Sequence, residues 1–110
     1  MIKAELILEN GLLRACNIRG HAEAGPKGAD IVCAAVSVLA SSAQKALSKR
    51  KGIEFRCEFP QRGEFSLEIL GINAENTGFL AGIGTFLTEG LVSVSNEYPD
   101  FCSVSIEEKK

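Results

Sequence analysis

Apolar residues in this chain change their spacing four times, from alternate positions to helical intervals and back, and few folds accommodate that pattern. Ile2, Ala4, Leu6 and Leu8 share one face of residues 2–9, with Lys3, Glu5 and Glu9 on the other, which predicts a half-buried strand. Asn10-Gly11 follows, a dipeptide suited to a two-residue hairpin because both positions accept positive φ. A second strand is expected from about Leu12 to Gly20. The segment from His21 to Ala29 holds two glycines and a proline and reads as a loop. Asp30 is placed as the N-cap of a helix that continues to about Arg50, with Lys45, Lys49, Arg50 and Lys51 gathered where the macrodipole favours cations.

Period two returns after Gly52. Ile53, Phe55, Cys57 and Phe59 alternate with charged residues, a turn follows at Pro60 to Gly63, and Phe65, Leu67 and Ile69 alternate with Glu64, Ser66 and Glu68. From about Ala74 to Asn96 the spacing is helical, with Phe79, Ile83, Phe86, Leu87 and Val94 on the expected core stripe. Gly78 and Gly82, four apart, are the positions expected to admit a neighbouring element closely. Cys102, Val104 and Ile106 form a last strand before a charged tail. The order ββαββαβ implies a single α/β (α+β) domain over residues 1–110, a mostly antiparallel sheet with both helices packed on one face.

The formal charge of −2 supplies no basic field, so direct nucleic-acid binding is not expected. The nearly apolar run from Ile31 to Ala40 is half a membrane span, and no leader-like segment precedes it, which points to a cytoplasmic protein with no membrane partner. Cys16, Cys33, Cys57 and Cys102 are spaced too widely for a zinc ribbon or knuckle, so no metal or other cofactor is expected and the thiols are read as free.

Strand phase places Cys16, Cys57 and Cys102 in the core as small hydrophobes. Cys33 differs, because the expected helix puts it in the first turn, where unpaired N–H groups favour a thiolate. Ser37 and Gln44 extend its face, whereas Val32, Val36, Leu39 and Ala43 form the apolar one. His21, the sole histidine, stands at the other end of the glycine-containing loop, which can close into a thiol–imidazole contact. Each residue also has a plainer reading, His21 as a surface loop residue and Cys33 as a structural helix cysteine. Asp30 serves either as helix cap or as orienter of His21. Gly20 to Gly25 has the spacing of a phosphate loop but Pro26 stands where lysine belongs, leaving only weak anion binding at the helix start.

Gly20-His21-Ala22 and the block from Gly28 through Asp30-Ile31-Val32-Cys33-Ala34-Ala35-Val36 to Ser37 together resemble the ribosomal-processing cysteine proteases of the Prp family. The likeness continues through the second helix and Asn96 to Asp100, although Glu23 stands where the family often has glycine. The resemblance implies a small homodimeric endopeptidase that removes a short N-terminal extension from a bacterial large-subunit ribosomal protein. It places the nucleophile on Cys33 and the base on His21, with Asp30 and Ser37 supporting and Gly20, Ala22, Gly25 and Gly28 in the substrate loop. That loop, residues 22–29, is expected to be poorly ordered until substrate binds. The rival is a non-catalytic ribosome-assembly or protein-interaction module in which Cys33 is structural.

Overall fold

A computed structural model describes residues 1–20, 29–61 and 63–110. Its elements follow the expected order: β1 (Ile2–Glu9), β2 (Leu12–Arg19), α1 (Ala29–Ser48), β3 (Ile53–Glu58), β4 (Phe65–Ile72), α2 (Thr77–Glu97) and β5 (Cys102–Lys109). A 3₁₀ turn, Ala74–Asn76, leads into α2. Asn10 and Gly11 take φ of 53° and 80°, so the hairpin turn has both central residues in the left-handed region as its sequence requires.

The strands form a mixed sheet in the order β3-β4-β2-β1-β5. Every pairing is antiparallel except β1 with β5, which run parallel from Ile2 opposite Cys102 to Glu9 opposite Lys109. It follows that β2 and β3 share a direction, as do β4 and β5, so each helix is a crossover between parallel-running strands. Both helices lie on one face. Ile2, Ala4 and Leu6 of β1, Cys16 and Ile18 of β2 and Phe65, Leu67 and Ile69 of β4 supply the sheet side of the core. Val32, Val36, Ala40, Ala43 and Leu47 supply α1's side at intervals of three and four, the stripe expected of a helix with one buried face. The other sheet face is polar and carries cross-strand ion pairs, Arg19 with Glu5 and Arg56 with Glu68, both at 2.5 Å and largely exposed. Such pairs add little stability and mainly keep that face wet.

The buried stripe of α2 is Leu80, Gly84, Leu87 and Leu91, which shares only Leu87 with the one expected. Phe86 is 71% exposed, and Phe79, Ile83 and Val94 are only partly buried. The close approaches move with the stripe. A Cβ at Gly78 or Gly82 would meet nothing, whereas one at Gly84 would lie 3.0 Å from the Leu13 Cβ and one at Gly90 2.7 Å from Leu39 Cδ2. Gly84 lets α2 settle on β2, and Gly90 lets it settle on α1.

Both helices are long and apolar enough by length and composition to cross a membrane. The large apolar residues of the buried stripes face the sheet, while Ile31, Val38 and Phe86 are exposed. At the far end of α1, the basic cluster is not merely solvated. The Arg50 guanidinium donates from Nε and Nη2 to Asn76 Oδ1 at 3.2 and 3.0 Å and lies 4.6 Å over the Phe79 ring.

Candidate active site

The C-terminal end of β2 and the β3–β4 turn lie at one end of the sheet, because Ile18 pairs with Phe65 and Glu58 with Ser66, and residues 36–41 of α1 face them across a groove. Gly20 follows β2 there with φ of 102°, and any Cβ on it would overlap the Met1 carbonyl oxygen. Only glycine fits that backbone, so the strand end just before His21 is held against the first residue of the chain. His21, Ala22, Gly25 and Gly28 lie outside the described residues, and so does the expectation about loop order.

Helix α1 starts at Ala29, one residue before the expected cap. Asp30 therefore stands inside the first turn, where its carboxylate still complements the positive helix end, instead of at the cap position. Cys33 becomes the fifth helical residue. Its own N–H then belongs to the helical ladder, pairing four residues back, and the dipole's influence on the thiol is weaker than a first-turn position would give. Asp30 and Ile31 supply the N–H groups that lack an acceptor within the helix.

Cys33 is half-buried, packed at the edge of the core below an exposed Ser37 one turn on and a half-buried Ser41 one turn further. The remaining thiols are disfavoured as nucleophiles. Cys16 is fully buried, and desolvation, with Cys57 adding to it, pushes its pKa up to about 12. Burial also raises Cys102, and burial followed by the adjacent Glu58 carboxylate raises Cys57, which is half-buried instead of fully so. A thiol raised in this way carries less of the thiolate that attacks carbonyls. Among the described residues no group of three or more His, Cys, Asp or Glu is arranged to hold a metal ion.

Alongside the Cys33 face runs an open groove of about 390 Å³ between α1 and the β3–β4 turn. Val36 and Ala40 form its floor with Ile18 and Phe65, and Ser37 and Ser41 continue the row of Cys33 along its edge. Phe59 is its opposite wall. The alternation of β3 places Phe59 in the core, but the strand ends at Glu58 and Phe59 is 54% exposed, its ring 5.1 Å from that of Phe65 at an interplanar angle of 59°. Pro60 directly after it is the signal that the strand stops, since proline cannot continue the ladder.

A family model described as cysteine protease Prp matches residues 1–103. The crystal structure of SMU.848 from Streptococcus mutans is 25% identical, with a TM-score of 0.81 over 99% of this chain and 96% of that one. An essential ribosomal processing protease Prp from S. aureus, in complex with a substrate peptide, is 19% identical, with a TM-score of 0.79 over 97% of this chain and 100% of that one. The same protease with a covalently linked product peptide is 20% identical, with a TM-score of 0.80 over the same shares. No curated protein sequence matches the chain significantly.

Proposed function

The chain belongs to the cysteine protease Prp family, and we propose that it is the endopeptidase that removes a short N-terminal extension from a bacterial large-subunit ribosomal protein. The observation that carries the reading is the state of the cysteines. Cys33 stands half-exposed in the second turn of α1, one turn before the Ser37 edge of an open groove, while burial raises the other three thiols. In the proposed reaction His21 takes the Cys33 proton and the thiolate attacks the scissile carbonyl. The tetrahedral oxyanion is met by N–H groups of the first turn of α1, each such donor being worth roughly 3 kcal/mol. Collapse breaks the C–N bond, the imidazolium protonates the leaving amine, and water, deprotonated by His21, hydrolyses the thioester to free Cys33. Asp30 and Ser37 support this pair from the helix, and Gly20, Ala22, Gly25 and Gly28 belong to the substrate loop. The enzyme works in the cytoplasm as a homodimer.

The test is incubation with the host ribosomal protein carrying its extension, read by mass spectrometry. The expected result is loss of one N-terminal segment, abolished by Cys33→Ser and by His21→Ala while both variants keep the wild-type circular dichroism. Near wild-type cleavage by Cys33→Ser would eliminate the mechanism. Equal inertness of all four cysteines toward iodoacetamide in the native protein would favour a binding module over an enzyme.

A further inference from the structure

We infer that the outer face of the helix layer, along the seam between α1 and α2, is the surface on which two copies of this chain pair. The inference gives the homodimer proposed above its interface and rests on that reading, but not on which residue is the nucleophile.

Charge is missing where a lone two-layer domain needs it. Helix α1 carries no charged residue between Asp30 and Lys45, and α2 carries none from Thr77 to Thr88. Only 28% of the apolar stretch from Asp30 to Ser48, and 22% of that from Ala74 to Glu97, is buried within the chain. A helix with one side in water carries polar residues there, and one that is apolar all round is covered. Here the outer side of α1 presents Ile31 at 56% and Val38 at 62% exposure, and that of α2 presents Phe86 at 71%. The opposite face of the molecule, the outer side of the sheet, carries the ion pairs and meets water in the ordinary way.

The patch is complementary to itself. Between the helices lies an apolar slot of about 190 Å³, walled by Leu39, Ala43 and Ala46 of α1 and Ile83 and Leu87 of α2, with Phe86 beside it. A hole and a large exposed ring on one patch are what a twofold axis requires, since each copy then offers what the other receives. With the axis along the seam, α1 of each copy lies over α2 of the other, and each Phe86 ring comes down on the slot of the other copy. The exposed charges at the borders are then unlike, Lys45 on the α1 side and Glu89 on the α2 side. The molecule measures 45 × 24 × 17 Å, so a broad face has room for the roughly 800 Å² per partner that a stable interface buries. A strongly charged partner, nucleic acid included, finds no countercharge across the centre of this face. Ser37 and Ser41 edge the groove on the side of α1 turned away from the slot, so both grooves stay open when the copies pair.

The experiment is sedimentation velocity on the full-length protein over a range of about 1 to 100 μM, where wild type should run as a dimer. Phe86→Glu puts a charge at the centre of the interface, and Ala46→Phe fills the slot without adding one. Each should raise the dimer Kd about thirtyfold or more. Leu70→Glu, on the outer face of the sheet where Leu70 is 44% exposed, should leave Kd within about twofold. Phe86 is exposed, so its variant should keep the wild-type circular dichroism, and Val38→Glu repeats the test from α1 should it not. A dimer that survives Phe86→Glu, Val38→Glu and Ala46→Phe would overturn this surface and leave the homodimer to form elsewhere. A wild type that stays monomeric throughout would overturn both, and co-sedimentation of that monomer with phosphatidylglycerol vesicles would assign the face to a membrane instead. The protease reading is untouched by either result.

Discussion

Asn76→Ala is expected to be among the most destabilising single substitutions in the chain. Asn76 is 1% exposed, the one buried polar side chain among the described residues. Its Oδ1 accepts both bonds from Arg50, its Nδ2 donates to the Lys51 carbonyl at 2.8 Å, and its backbone N–H donates to the Asn73 carbonyl at 2.9 Å. One amide thus ties the end of α1 to the entry of α2. Truncation to alanine removes the acceptor of a charged donor, about 1.5–3 kcal/mol, and leaves a part-buried carbonyl unpaired at about 1 kcal/mol more. A total of about 2.5–4 kcal/mol corresponds to a fall in Tm of roughly 10–16 °C for a domain of this size. The assay is urea unfolding by circular dichroism, where the midpoint should drop with the slope unchanged. Arg50→Met removes one partner, so in a double-mutant cycle the pair should couple by at least about 1 kcal/mol. Cleavage per folded molecule should hold, because Cys33 lies about 21 Å up the α1 axis from Leu47. A loss under about 0.5 kcal/mol, or additive single variants, would show that water replaces the knot without cost and refute the reasoning.

Three further outcomes are expected. Gly78→Ala and Gly82→Ala, which meet open space, should stabilise by up to about 1 kcal/mol each through helix propensity, while Gly84→Ala, pressed against the Leu13 Cβ, should destabilise in the same urea assay. Cys16 has an ordinary value of 9.0 and a folded value of about 12, so the folded thiol holds its proton where the unfolded one has lost it. Its contribution is therefore complete below pH 9.0 and falls by about 1.4 kcal/mol per pH unit above it, and Cys16→Val should flatten that part of the urea-midpoint profile. Native-state alkylation near pH 8 should modify Cys33 well before Cys16 and Cys102, and mass mapping that found the reverse order would contradict the burial argument.

The strands were legible because alternation is a direct imprint of a sheet with one wet face. Ile2-Ala4-Leu6 and Phe65-Leu67-Ile69 face the core as their spacing requires. The α2 stripe was not legible, since one of its positions is Gly84, which contributes by admitting Leu13 and adds no apolarity to a periodicity. Asn76 was invisible for a related reason: nothing in an asparagine before a helix tells that its amide will be buried against Arg50. Phe59 misled because phase continues smoothly past the point where Pro60 ends pairing. At the candidate site, the cysteines could be sorted by phase, with only Cys57 less buried than its phase suggested. The first helical residue is Ala29 where the cap at Asp30 implied Ile31, a shift of two residues, enough to move Asp30 off the cap and Cys33 into the second turn.

The parallel pairing of β1 with β5 also sets a clock on biogenesis. The first strand of the domain to be made has as one of its two neighbours the domain's fifth strand, with Ile2 opposite Cys102 and the Ile2 N–H donating to the Phe101 carbonyl at 2.8 Å. At about 5–20 residues per second, the N-terminal hairpin waits on the order of 5–20 s before that neighbour exists. Until then one side of β1 is an unpaired edge, open to pairing with other chains. Closure of the sheet is accordingly a late, high-contact-order event, slow for a domain of this length. The Met1 carbonyl that Gly20 packs against is settled only when that event is complete, so a chain still under synthesis holds the sequence of a protease without its finished frame.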